Sequence, residues 1–299
     1  MSTKSNVLVI GYGEMGRAME HLLSKSHNLF FWDKFPPTDL EPVILEDAVP
    51  QADFVIFCLP VQPHEEVLQS ILSLLKPDTI CISIAKGLDK QGRTAQQIFA
   101  SKLEKHQYAM IYGPMISEEI RLNRPAFAQV GCHKITFQSI ADLFKDSKLY
   151  LQHSNDVVGI GWSVILKNVY AMVFGMNDAL QLGVNMRGFL AVTALAELDQ
   201  IVQLMGGNTG SPYHLAGLGD LITTATSLDS HHHKLGEMLA AGETENIKGE
   251  GVNTLQMVKQ HQLFDTTLFP LFSLIDHIIE NRPVDVAKAL DDFLVARQQ

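Results

Sequence analysis

A lysine inside an apolar helical stretch is the residue of this chain that most needs a chemical reason. Lys167 falls on the stripe Ile160, Val164, Lys167, Ala171, Phe174, whose steps of four and three aim it toward the apolar side of a helix. Two readings fit it. The ammonium snorkels at the edge of the stripe, or it is partly desolvated, held near a second positive charge such as Lys86, and works as a general acid and base. The second reading suits a reaction that leaves an alkoxide in need of a proton. Asp220, in the run AGLGD, is either the N-cap of a helix begun by LITTATS or a carboxylate that orients an ammonium and a substrate hydroxyl. Lys86, in SIAKG, is either a solvated loop lysine or a lysine at a ligand cleft.

Three adjacent histidines, His231, His232 and His233, invite a metal reading. On a helix their side chains point about 100° apart, so all three cannot close on one ion, and no metal site is expected. The readings left are a solvated face, or an anion contact made by His231, with or without Lys234, that works best when protonated.

These groups need elements to position them. Residues 7–10, 29–32, 54–59, 79–84 and 108–112 are short apolar runs, the pattern of strands buried on both faces. Between them lie stretches of helical length, such as 15–24 and 65–75, and the alternation predicts an α/β fold with a doubly wound parallel sheet. After a last sheet-like run, LYLQ, the pattern changes to long helical segments at 157–181, 186–205, 252–261, 267–280 and 284–296. The boundary is placed at 153/154, giving an N-terminal Rossmann-like domain over 1–153 and an all-α domain over 154–299.

The turn GYGEMG after the first strand fits G-x-G-x-x-G in the context that makes the pattern informative, strand before and helix after. Gly11 allows the tight turn, Gly13 lets backbone approach a pyrophosphate, and Gly16 lets helix and strand pack closely. Glu14 and Met15 complete this dinucleotide turn; a carboxylate there repels phosphate, and Arg17 is expected to offset it. Asp33 follows the second strand, 22 positions after Gly11. It is either a turn aspartate or an acceptor for the adenine-side ribose 2′-hydroxyl, which favours NAD over NADP, although Lys34 beside it pulls the other way. Ligands of such sheets gather beyond the carboxyl ends of the strands, which brings in SIAKG with Lys86 and YGP with Gly113.

Composition narrows the partners. A formal net charge of -10, from 33 acidic and 23 basic residues, disfavours nucleic acid. No stretch of about eighteen uninterrupted apolar residues stands out, so no membrane insertion is expected and the chain reads as cytoplasmic. Cys58, Cys81 and Cys132 lack metal spacing and read as small core hydrophobes.

Taken in order, GYGEMG, IAKGL, GPMISEEI, LKNVYAMVFGMNDALQLGVNMR, LAELDQ, LAGLGDLITTATSLDS and GEGVNT resemble the motif series of the NAD(P)-dependent glycerol-3-phosphate dehydrogenases, over nearly the whole chain. The resemblance implies a Rossmann domain followed by a helical substrate domain. It implies reversible conversion of dihydroxyacetone phosphate to glycerol 3-phosphate, which feeds glycerophospholipid synthesis, by a cytoplasmic and often dimeric enzyme. Carried over by motif, Lys167 is the proton donor and acceptor, Asp220 and Thr224 are its neighbours, and Asn168 is a contact beside it. Lys86 lies between nicotinamide and substrate, and Glu250 touches the cofactor.

The chain departs from that pattern where the family has Ser-Arg-Asn, whose arginine and asparagine grip the substrate phosphate: here Ser230 is followed by His231 and His232. A neutral imidazole lacks the planar, permanently charged fork of arginine. Met115 follows GP in place of a small polar residue, and Thr193 replaces an arginine. Two other readings stay open. One is a relative in the 6-phosphogluconate dehydrogenase-like group acting on a different hydroxy or keto acid, against which the adjacency of Lys167 and Asn168 counts. The other is a nucleotide-sensing protein without catalysis, against which the joint presence of Lys86, Lys167, Asp220 and Thr224 counts.

Overall fold

A computed structural model describes residues 4–227 and 230–297. The chain divides into two compact units: one runs to Asp89 and includes Arg93–Val157, the other comprises Lys90–Gly92 and the chain from Val158 onward.

In the first unit the apolar runs become strands and the amphipathic stretches become their crossovers. The elements are β1 (Asn6–Ile10), α1 (Glu14–Leu23), β2 (Asn28–Trp32), α2 (Leu45–Ala48), β3 (Phe54–Phe57), α3 (His64–Ile71), β4 (Ile80–Ser83), α4 (Ala95–Ala100) and β5 (Tyr108–Tyr112). There follow α5 (Ser117–Arg121), β6 (Ala126–Gly131), α6 (Lys134–Phe144) and β7 (Leu149–Ser154). One sheet holds them in the order β2-β1-β3-β4-β5-β6-β7. It is parallel through β5; β6 then runs antiparallel to β5, and β7 runs parallel to β6. The doubly wound parallel sheet read from the sequence is present, with a reversal at β6 that the apolar runs did not disclose. AFAQVG, with its glutamine and small residues, lacks the continuous branched-aliphatic signal of the central strands, and its exposed Phe127 stacks on Tyr150 of β7. Valines and isoleucines of β1, β3 and β4 are buried, as strands covered on both faces require.

The second unit is helical: α7 (Val157–Ala179), α8 (Gly183–Leu204), α9 (Asp220–Thr226), α10 (His231–Ala240), α11 (Glu250–His261), α12 (Pro270–Glu280) and α13 (Val286–Ala296). Residues 159–177 are all buried, so α7 is not striped but apolar all round, a core helix. By length and composition alone it is long and apolar enough to cross a membrane, a property the search for uninterrupted apolar runs passed over because Lys167, Asn168 and Asn177 interrupt it. Its apolar window is 89% buried within the protein. Helix α10 crosses α7 at glycines: a Cβ on Gly175 would lie 1.9 Å from the His233 carbonyl oxygen, and one on Gly236 would lie 1.9 Å from that of Met172.

Candidate functional site

The glycine turn of the first unit is shaped by its own backbone. Gly11 sits at φ 97°, donates its N–H to the Trp32 carbonyl at 2.8 Å, and has no room for a Cβ, which would lie 2.7 Å from the Cys58 carbonyl oxygen. A Cβ on Gly16 would lie 2.2 Å from the Gly11 carbonyl oxygen, so the start of α1 packs directly on the turn. On Gly13, by contrast, a Cβ would meet no protein atom within 4 Å. Gly13 is also the N-cap of α1, and no side chain caps the helix there. Open approach to Gly13, together with helix N–H groups that no side chain caps, fits a pyrophosphate.

The neighbours refine this picture. Glu14 does not depend on Arg17 to offset its charge: its carboxylate pairs with Arg121 of α5 at 2.5 Å and accepts from the Ser117 hydroxyl at 3.4 Å. The Met15 side chain packs against the sheet-side core, leaving its backbone for any ligand contact. Asp33 accepts from the Tyr12 N–H at 2.7 Å through one oxygen and from the Phe35 N–H at 2.8 Å through the other. It is therefore a turn aspartate that also braces the glycine turn, and each oxygen keeps lone-pair capacity for a hydroxyl.

Lys86 is half-buried on the turn after β4. That turn hangs on a residue the sequence reading passed over, His64. Its Nδ1 donates to the Pro60 carbonyl at 2.9 Å, so its Nε2 accepts the Ser83 hydroxyl at 2.9 Å, and Ser83 Oγ accepts the Ala85 N–H at 3.2 Å. Burial pulls His64 down to about 4, which keeps the imidazole neutral and the tautomer fixed. The signal was a histidine just past the carboxyl end of a strand, in LPVQPH. Gly113 has a packing reason: a Cβ there would lie 2.5 Å from the Phe127 carbonyl oxygen. Met115 is a core residue of the same unit, and the Cys81 and Cys132 thiols are both pushed up to about 12 by burial.

In the second unit Lys167 of α7 meets two groups of α9 that lie one helical turn apart. Lys167 Nζ donates to Thr224 Oγ1 at 2.6 Å and lies 3.1 Å from Asp220 Oδ2. Lys167 is 4% exposed and Asp220 3%, which rules out snorkelling. Within this unit the charge beside the amine is the Asp220 carboxylate. Thr224 donates its own hydroxyl to the Asp220 carbonyl at 2.7 Å, which turns an oxygen lone pair to the amine. The N-cap reading of Asp220 fails, because a π turn over Leu215–Gly219 precedes it and Gly219, the N-cap, is itself helical at φ -58, ψ -50. Asn168 is buried beside Lys167, and a Cβ on Gly251 would lie 2.6 Å from its carbonyl oxygen, which brings the start of α11 against this turn of α7. Glu250 opens α11, and burial raises its carboxyl to about 7.

The three histidines take three different partners. Exposed His231 uses Nε2 on the Lys248 carbonyl at 2.6 Å, and His232 Nε2 accepts the Gly251 N–H at 3.2 Å. Buried His233 bonds Asp178 Oδ2 at 2.8 Å, a carboxylate it shares with Arg187. Ser230 caps α10 by accepting the His233 N–H at 3.3 Å. The first two imidazoles thus tie α10 to the segment leading into Glu250. Thr193 accepts a long 3.4 Å bond from Arg297.

Family models described as NAD-dependent glycerol-3-phosphate dehydrogenase N-terminus and C-terminus match residues 34–138 and 156–291. A protein of Thermosynechococcus vestitus named glycerol-3-phosphate dehydrogenase (NAD(P)+) is 30% identical over 271 residues, 86% of each chain. One of the same name from Trichormus variabilis is 29% identical over 303 residues, 98% of this chain and 97% of its own. Among solved structures, glycerol-3-phosphate dehydrogenase from Coxiella burnetii superposes with a TM-score of 0.84 at 22% identity, covering 97% of this chain and 99% of that one. At that identity the likeness speaks for the fold.

Proposed function

Because the chain belongs to the NAD-dependent glycerol-3-phosphate dehydrogenase family, we propose that it interconverts dihydroxyacetone phosphate and glycerol 3-phosphate, with Lys167 moving the proton. The observation that carries this reading is the buried Lys167 amine, held by Thr224 and Asp220. A bound nicotinamide dinucleotide supplies the hydride for reduction and accepts it in oxidation. In reduction the carbonyl oxygen gains negative charge as the carbon is attacked, and the Lys167 ammonium gives it a proton. In oxidation the amine takes the hydroxyl proton. Asp220 stabilises the ammonium form, and Thr224 fixes where it points. In this reading residues 1–153 bind the dinucleotide through Gly11, Gly13, Gly16 and the backbone of Glu14 and Met15. Residues 154–299 supply the substrate contacts Asn168, Asp220, Thr224, Ser230, His231 and His232, with Glu250 as a cofactor contact. Lys86 and Gly113 are the first unit's contributions to substrate, and the setting is cytoplasmic.

A second reading, an unphosphorylated hydroxy or keto acid as substrate, is favoured by one observation: His231 spends Nε2 on a backbone carbonyl where the family places an arginine. The test is NADH oxidation with dihydroxyacetone phosphate and with a panel of unphosphorylated keto acids, with Lys167→Ala as control. Turnover with the phosphate ester, lowered about 10²–10⁴-fold in the variant, is expected. Turnover with the keto acids alone overturns the first reading in favour of the second.

A further inference from the structure

We propose that Asp39 sets a preference for NAD over NADP by occupying the guanidinium of Arg17. The proposal rests on the reading that the glycine turn binds a nicotinamide dinucleotide, and it assigns a specificity role to a residue outside the glycine motif.

The two dinucleotides differ by one phosphate on the adenine-side ribose. In this fold that ribose lies by the end of the second strand, where a carboxylate suits a 2′-hydroxyl and an arginine suits a 2′-phosphate. Here that end is Trp32, whose carbonyl is bonded to Gly11, followed by Asp33. Two cations belong to this end of the sheet. Arg17, on α1, lies over the Tyr12 ring at 4.6 Å, and the Tyr12 N–H is the one that Asp33 accepts. The same ring meets Phe31 of β2 edge-on at 4.8 Å, so Phe31, Tyr12 and Arg17 form one layer beside Asp33. Lys34 follows Asp33 directly in the chain.

Both cations are engaged by carboxylates. Arg17 Nη1 and Nη2 donate to the two oxygens of Asp39, each at 3.0 Å, and Lys34 lies 3.6 Å from Glu66. The fork that Arg17 presents to Asp39 is the geometry with which arginine grips phosphate, so carboxylate and phosphate compete for the same face. Asp33, Asp39 and Glu66 outnumber Arg17 and Lys34, and an incoming phosphate meets net negative charge. Pairing with Arg17 holds the Asp39 carboxyl below its ordinary range. The Asp39 side chain is 61% exposed and that of Arg17 30%, and a pair this open to solvent adds little to folding, so breaking it changes the charge at the ribose end and leaves the fold intact.

The experiment measures dissociation constants of NADH and NADPH by calorimetry for the unmodified protein, Asp39→Asn, Asp39→Ser and Asp39→Asn/Arg17→Gln. The expected result is NADH affinity little changed in both single variants. NADPH affinity rises in both by about tenfold or more, the worth of a charge-assisted pair to a phosphate, and the rise is lost in the double variant. An unchanged ratio in the single variants, or a rise that survives loss of Arg17, overturns the proposal while leaving dinucleotide binding standing. Failure of the unmodified protein to bind either dinucleotide overturns both.

Discussion

In the glycine turn, the residues that matter lie side by side in the chain and act through their backbone. At Lys167, one amine meets side chains 53 and 57 positions away, Asp220 and Thr224. The first arrangement fails by sterics, because its tolerance for added atoms is set by carbonyl oxygens that cannot move aside. The second fails by solvation, because removing Asp220 takes from a buried ammonium its counter-charge and removing Lys167 does the same to a buried carboxylate. Different experiments therefore break each.

The largest effect is expected at Gly16. Gly16→Ala puts a methyl 2.2 Å from the Gly11 carbonyl oxygen, so NADH binding should be lost, with folding stability lowered by about 1–3 kcal/mol from overpacking. Gly13→Ala sharpens the point, since its methyl meets no protein atom within 4 Å: the melting temperature should hold while NADH affinity falls. Equal losses of stability in the two variants would contradict the division of roles within the turn. At the second site, Thr224→Val keeps the shape and removes the oxygen that Lys167 binds at 2.6 Å. The amine keeps Asp220 but loses the contact that fixes where it points, so kcat should fall about tenfold or more with NADH affinity unchanged. A kcat equal to that of the unmodified protein would show that Thr224 does not hold the amine.

The smallest effect concerns pH. Glu250 is raised by burial from 4.5 to about 7, so the folded chain binds this proton more tightly than the unfolded chain. The stability it contributes is complete below pH 4.5 and is lost as pH rises through about 7. Glu250→Gln should flatten the fall in melting temperature across that window in a thermal scan. An identical slope in the variant would remove Glu250 from the account.

The contrast also explains what the sequence disclosed. The glycine turn is contiguous, so GYGEMG between a strand and a helix carried its meaning in one place. Lys167 stood out because an ammonium is costly among the apolar residues of α7, but its stripe suggested an edge where the helix is buried all round. Asp220 as the orienting carboxylate was one of two readings of the run AGLGD, and the π turn over Leu215–Gly219, which no residue pattern announces, decides for it over the cap. The reversal at β6 was missed because AFAQVG is weakly apolar. Among the crossover helices α4 carries a readable start signal, the Thr94 to Gln97 capping box. His64 escaped notice because its partners are a backbone carbonyl and a serine brought in by the next strand.

The glycine crossing of α7 and α10 fixes where the start of α10 stands. With Gly175 and Gly236 each pressed against a carbonyl of the opposite helix, a one-residue slide of α10 would drive a side chain into backbone. The start of the helix cannot be re-aimed by shifting the rod that bears it. Ser230, His231 and His232 at the start of α10 therefore stand on a fixed mount, where a change of side chain alters the local chemistry without moving the backbone.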